Sequence, residues 1–301
     1  MKKRHLALIV IASLAVGLGV FLWWWTGGSA RHIAASPARY EVDERPDLAY
    51  TATPADPERQ RLDLYLPKGA THAPVAAIWH GGGWTKGDRT LPAVQQLAYW
   101  LAERGVIGVA MGYRLAGPIS ALESARDAAQ GVAWLHAHIA EYGGDPRHIY
   151  FLGHSAGAEL ASLVACDRKF LDALGVPAYV PAGVIGLAGP YDLRAGRIGS
   201  HPVARQMARD AFHGDEALCA AMSPIAFVHA GLPPFLLIVG LGDRLVPRRQ
   251  ADNMFAALRA VGVKVELLVV PGRTHVSLIQ KATGPGDLAS EAALRFIQSG
   301  S

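Results

Sequence analysis

The stretch IYFLGHSAGAEL, Ile149 to Leu160, constrains the fold of this chain more than any other. An apolar, strand-like run passes within one residue into a run of small residues with helical character, and Ser155 stands at the corner. Gly153 and Gly157 flank it two residues away on either side, the G-x-S-x-G spacing of a nucleophile elbow. A strand that turns this sharply into a helix forces its corner residue into a strained backbone conformation, where neighbouring side chains would collide. Ala156 and Ala158 keep the corner small as well. The serine hydroxyl then stands clear at the helix N-terminus, where free backbone N–H groups can receive developing negative charge. Alone, the five-residue pattern also fits an ordinary Gly/Ser turn, so the rest of the chain must decide.

Around this corner, strand-like and helix-like segments alternate. LDLYLP at Leu62 reads as an early edge strand, VAAIWH at Val75 as a fully buried one, and VIGVAMGYR at Val106 as another. Between the last two, LPAVQQLAYWLAERG has helical spacing and stops at a glycine. The segment ISALESARDAAQGVAWLHAHIAEYGGD is a second helix, which delivers the chain into HIYFLGH. Strands GVIGLAG, PFLLIVG and VKVELLVV follow, with the helix RRQADNMFAALRAVG between the last two and LASEAALRFIQ at the end. This alternation predicts an α/β fold, with a mostly parallel sheet covered by helices on both faces. With 301 residues, 51% of them hydrophobic and 18% charged, the chain can bury one large core.

The N-terminal region reads differently. LALIVIASLAVGLGVFLWWW, Leu6 to Trp25, carries no charge and is long enough to cross a bilayer as a helix. Lys2, Lys3 and Arg4 precede it as a cytoplasmic flank, and Trp23 to Trp25 suit the far interface. The expectation is a membrane anchor or signal segment over 1–25, uncleaved or cut near Ala30, then a tether over 26–49 and a domain over 50–301. Either form exports the domain, anchored to the inner membrane on its extracytoplasmic side or released. The three basic residues supply most of the formal charge of +4, so the balance is no nucleic-acid footprint. Cys166 and Cys219 could pair in an oxidising compartment, and two small buried thiols are the plainer reading.

In a parallel sheet, chemistry collects beyond the carboxyl ends of the strands. VAAIWH ends in HGGGW, His80 to Trp84, where consecutive glycines let bare N–H groups face a ligand oxygen. Gly82 and Gly83, with Ala156 just after the serine, are the candidate oxyanion donors. PFLLIVG ends in LGDRLVP and places Asp243 where a triad acid belongs; VKVELLVV ends in PGRTHVSL and places His275 on the next loop. The chain order Ser155, Asp243, His275 fits a nucleophile, an orienting acid and a general base. Competing readings are a turn or N-cap role for Asp243 and a surface-loop role for His275. His80 and His154 read as structural, hydrogen-bonded histidines.

From about Leu62 to Ile297 the sequence resembles the α/β-hydrolase carboxylesterases that join the hormone-sensitive-lipase-like, kynurenine-formamidase-like and prenylcysteine-methylesterase-like families. The resemblance rests on HGGGWTKGD, YGGDPRHIYFLGHSAGAELASLVA, GLAGPYDL and PGRTHVSL. Trp84 after the glycines matches the HGGxW form of formamidases and feruloyl-esterase-like members. The resemblance implies Ser155 as nucleophile, Asp243 and His275 as its partners, and Gly82, Gly83 and Ala156 as oxyanion donors. The expected reaction is cleavage of a small-molecule carboxylic ester through an acyl-enzyme, without metal or organic cofactor. The alternatives are an amide-bond hydrolase of the same fold, arylformamidase-like or a peptidase, and a non-catalytic binding protein. Residues from about Arg194 to Gly231 form an insertion longer than a simple connection; it reads as a short helical cap over the site or as a surface excursion. Asp192, just before it, reads as a turn residue rather than part of the pocket wall.

Overall fold

The computed structural model describes residues 35–194 and 197–300. The expected anchor over residues 6–25 lies outside them; among the described residues, no helix is long and apolar enough to cross a membrane. Among the described residues, eight strands form one sheet: β1 (Val42–Ala49), β2 (Arg61–Pro67), β3 (Ala73–Trp79), β4 (Ile107–Met111), β5 (Gly144–His154), β6 (Gly183–Leu187), β7 (Phe235–Gly240) and β8 (Val265–Val270). Their order across the sheet is β1-β2-β4-β3-β5-β6-β7-β8. The β1–β2 and β2–β4 pairs are antiparallel and every other pair is parallel.

The helices are α1 (Pro92–Ala102), α2 (Ala121–His138), α3 (Ala156–Cys166), α4 (Lys169–Asp172), α5 (Pro202–Phe212), α6 (Glu216–Ala221), α7 (Arg249–Ala260), α8 (His275–Gln280) and α9 (Leu288–Gln298). Successive strand residues point to opposite faces, and the buried side chains divide accordingly. On β3, Val75, Ala77 and Trp79 join one core with α2, α3 and α7. Ala76 and Ile78 join the other, with α1, α8 and α9. Both faces of the central strands are covered, which is why these strands read as continuous apolar runs rather than alternating ones.

Two expectations change at the first edge. β2 is not the edge strand, because β1 pairs along it from Val42 opposite Pro67 to Ala49 opposite Arg61. Residues 42–49, read from the sequence as the end of the tether, are thus part of the sheet. VDERPDLA lacks an apolar face because an edge strand is paired on one side only, and most of β1 stays exposed. Charge fastens it instead: buried Arg89 bridges Asp47 of β1 and Asp63 of β2. Further upstream, Ser36 is tied to α9 by two hydrogen bonds to Glu291, while Arg104 donates to the Ser36 carbonyl. Cys166 and Cys219 are free, buried thiols.

Candidate active site

The serine corner has the strain its sequence implies. Ser155 has φ +55°, in the left-handed region, and its N–H donates to the Leu187 carbonyl of β6 at 2.8 Å, which pins the corner to the sheet. A Cβ on Gly153 would lie 2.2 Å from the Gly157 carbonyl oxygen, and one on Gly157 would lie 2.2 Å from that of Trp79. Only glycine permits the strand, the helix and β3 to approach so closely. The Ser155 hydroxyl caps no backbone group of α3. It faces His275, with Oγ 2.9 Å from Nε2.

His275 is the first residue of α8, held by a reciprocal Thr274–Ser277 capping box. Its Nδ1 lies 2.8 Å from Oδ2 of Asp243. The other carboxylate oxygen of Asp243 accepts the N–H groups of Leu245 and Val246, each at 2.9 Å. An ionised carboxylate only accepts, so it fixes the proton of His275 on Nδ1 and leaves the Nε2 lone pair toward the serine hydroxyl. The three residues expected at three separate strand ends therefore meet in one hydrogen-bonded line.

Gly81, Gly82 and Gly83 border the cavity that Ser155 and His275 share. The loop is a closed turn, with Lys86 N–H donating to the Gly82 carbonyl at 3.1 Å. Gly82 has φ +134°, and a Cβ there would sit 2.0 Å from the Lys86 carbonyl oxygen. Ala156 opens α3, so its N–H has no carbonyl one turn earlier to bond.

The flanking histidines take structural places. His154 Nε2 lies 2.9 Å from the His275 carbonyl oxygen and donates to it. Burial, with His275 nearby, pushes its pKa down to about 3. His80 stacks on Tyr113, donates from Nδ1 to the Gly81 carbonyl at 2.9 Å, and is pushed by burial down to about 4. Both rings are neutral at physiological pH. Asp192 is buried and holds Arg194 in a bidentate pair, so it belongs to the turn.

The cavity measures about 520 Å³. Its wall comes from the start of α1 (Pro92, Ala93, Val94), from α8 (Val276, Ile279), from Leu245, and from Met207 of α5. Gln96 and Gln280 are polar members of that wall, and among the described residues lining it, His154 and His275 included, there is no Asp, Glu, Lys or Arg. The α1, α8 and Met207 contributions were not legible in the sequence, because helix periodicity gives the buried stripe and not the end of a helix that faces a neighbour's loop. Met207 lies directly over the glycines, since a Cβ on Gly83 would come 2.8 Å from its Cγ and Sδ. The insertion expected over 194–231 thus contributes to the site through α5.

A second unanticipated contact lies beneath the loop. Trp84 Nε1 donates to Oε2 of Glu159 on α3 at 2.7 Å, and both side chains are buried. A signal was present, because Glu159 is the one charged residue type in the helix AGAELASLVAC.

Comparison with known proteins agrees with this architecture. A family model described as BD-FAE matches residues 62–258. A probable isoprenylcysteine alpha-carbonyl methylesterase of Arabidopsis thaliana is 32% identical over 74% of this chain and 50% of its own length. A probable carboxylic ester hydrolase of Mycobacterium tuberculosis is 30% identical over 78% of this chain and 50% of its own. The chain spans about half the length of these curated relatives. Among solved structures, esterase B from Lactobacillus rhamnosis superposes with a TM-score of 0.74 at 26% identity, covering 96% of both chains. A truncated carbohydrate esterase from gut microbiota, at 20% identity and a TM-score of 0.74, shares the fold over 89% of this chain and 99% of its own.

Proposed function

The chain belongs to the BD-FAE family, and on that premise we propose that it hydrolyses carboxylic esters through an acyl-enzyme formed on Ser155. The observation that carries the reading is the unbroken line from Ser155 Oγ to His275 Nε2 and from His275 Nδ1 to Asp243, at 2.9 and 2.8 Å, opening into a cavity bordered by a glycine loop.

A serine hydroxyl is a weak nucleophile at neutral pH. As Oγ attacks the ester carbonyl carbon, His275 Nε2 takes its proton, and Asp243 stabilises the imidazolium that results. The carbonyl oxygen becomes negative in the tetrahedral intermediate and accepts the N–H groups of Gly82, Gly83 and Ala156. Collapse breaks the bond to the alkoxide, which leaves with the proton from Nε2. Water then repeats the sequence on the acyl-enzyme: His275 takes its proton, the acid departs, and Ser155 recovers its hydrogen.

The wall supports an uncharged ester with a short or medium aliphatic part. Its apolar groups favour burial of methylenes, worth about 0.8 kcal/mol each, and it offers no cation to a carboxylate on the substrate. The Lactobacillus esterase has been solved with a tributyrin phosphonate inhibitor, which supports the same class of acyl group. Residues 2–25 support export of the domain, as read from their sequence.

The test is hydrolysis of p-nitrophenyl esters from acetate to decanoate by the detergent-solubilised full chain, beside Ser155→Ala. Loss of hydrolysis in the variant, with an optimum at short or medium chains, is expected. Equal rates for wild type and variant would overturn the serine mechanism. Inertness toward esters combined with cleavage of N-formyl anilines would move the reading to the amide-hydrolase alternative.

A further inference from the structure

We infer that the buried Trp84–Glu159 pair is a positioning strut that fixes the oxyanion loop against the nucleophile corner; this rests on the ester-hydrolase reading above. Trp84 directly follows the two glycines proposed as donors, so displacement of its indole moves them. Its backbone has φ +64°, a conformation unfavourable for a bulky residue unless its surroundings enforce it. Three contacts do so. The Trp84 carbonyl accepts the Ala116 N–H at 2.9 Å, the ring meets Phe212 of α5 edge-on with centroids 4.7 Å apart, and Nε1 donates to Glu159.

Glu159 sits one turn along α3 from the nucleophile, and its own N–H donates to the Ser155 carbonyl at 3.1 Å. The strut therefore links the glycine loop to the serine corner, one residue from Gly83 and one helical turn from Ser155. A leucine at 159 would fill this apolar helix face without an acid to desolvate. The acid is fully buried, and its other oxygen, Oε1, has no protein partner. Burying a carboxyl with a single hydrogen bond is unfavourable for folding, so what Glu159 contributes is the placement of Trp84. Burial also raises its pKa well above the ordinary carboxyl value.

A strut acts on the transition state more than on substrate binding, because only the tetrahedral oxygen needs both donors at close range. The variants are Trp84→Phe, which removes the indole N–H, Glu159→Met, which removes the acceptor at similar volume, and Glu159→Gln, which keeps a neutral acceptor. Three readouts are taken on the full chain: kcat and KM for p-nitrophenyl butyrate, the inhibition constant of butaneboronic acid as a tetrahedral mimic, and hydrogen–deuterium exchange of a peptide containing Gly81 to Gly87. Trp84→Phe and Glu159→Met are expected to lower kcat about 10- to 100-fold with KM changed less than about threefold. Boronate binding should weaken in step, and exchange across the loop should quicken. Glu159→Gln should restore all three to near wild type. Wild-type kcat in both disabling variants, or a loss that Glu159→Gln fails to rescue, overturns the strut. Loop exchange is read without turnover, so an inert wild type would refute the ester-hydrolase reading while exchange still decided the strut. If Glu159→Met fails to fold, Trp84→Phe and Glu159→Gln carry the same comparison.

Discussion

Asp243 uses its two oxygens for two different tasks, and this sets what a one-atom change would do. Oδ1 accepts the N–H groups of Leu245 and Val246, while Oδ2 faces His275. In Asp243→Asn, the carbonyl oxygen must stay toward the two backbone donors, so the amide N–H₂ turns to His275. The imidazole can then only accept at Nδ1, which places its proton on Nε2 and faces a donor toward the serine. We expect kcat to fall about 10³- to 10⁴-fold with little change in melting temperature; a loss smaller than tenfold in steady-state assays would mean that the carboxylate does not set the tautomer. The residues of this line were legible in the sequence because each stands where an apolar strand stops, at a place where no packing role accounts for it. Glu159 was not, although its charge broke an apolar helix, because periodicity does not tell which polar residue of a helix is buried or what waits opposite it. Trp84 was singled out only as a mark of resemblance, and its role appears with its partner.

At the scale of elements, the central strands and the long helices follow from their apolar patterns, whereas β1 and the placement of the cap do not. β1 carries little apolar information, and its position depends on Arg89, forty-odd residues away, reaching back between Asp47 and Asp63. The insertion was visible as excess length, but its direction depends on a buried amide. Gln250 of α7 accepts the N–H groups of Tyr191 and Asp192 and donates to the carbonyls of Asp192 and Arg197. All four of its hydrogen-bonding positions are used to hold the base of the insertion, from which α5 brings Met207 over Gly83. Met207 should therefore limit how long an acyl or alcohol chain the cavity accepts. Met207→Ala is expected to move the optimum of the p-nitrophenyl series to longer chains, with kcat/KM for the next homologue rising about fourfold per additional buried methylene. An unchanged profile would mean that the chain leaves the cavity by another wall.

For the whole molecule, the buried titratable groups around the site contribute to how stability responds to acid. His80 and His154 have pKa values pushed down by burial to about 4 and about 3, while an unfolded histidine titrates near 6.5. Their stabilisation is complete above pH 6.5 and is lost as pH falls, because the unfolded chain gains protons that the folded one refuses, at about 1.4 kcal/mol per pH unit for each ring. Glu159 works in the opposite sense. Its folded pKa is raised by burial, so its contribution is present below the unfolded value near 4.5 and is lost as pH rises through the folded one. Between pH 6.5 and 5, acidification therefore weakens the fold through two histidines, and the raised pKa of Glu159 opposes that loss. The carboxylates with lowered pKa values, such as Asp88 and Asp192, add their losses nearer pH 4. Glu159→Gln removes the opposing contribution alone, so the same interval should then show a steeper loss of stability. Urea unfolding of both proteins at half-unit steps from pH 7 to 5 measures the two slopes. Parallel curves would show that the pKa of Glu159 is not raised in the fold.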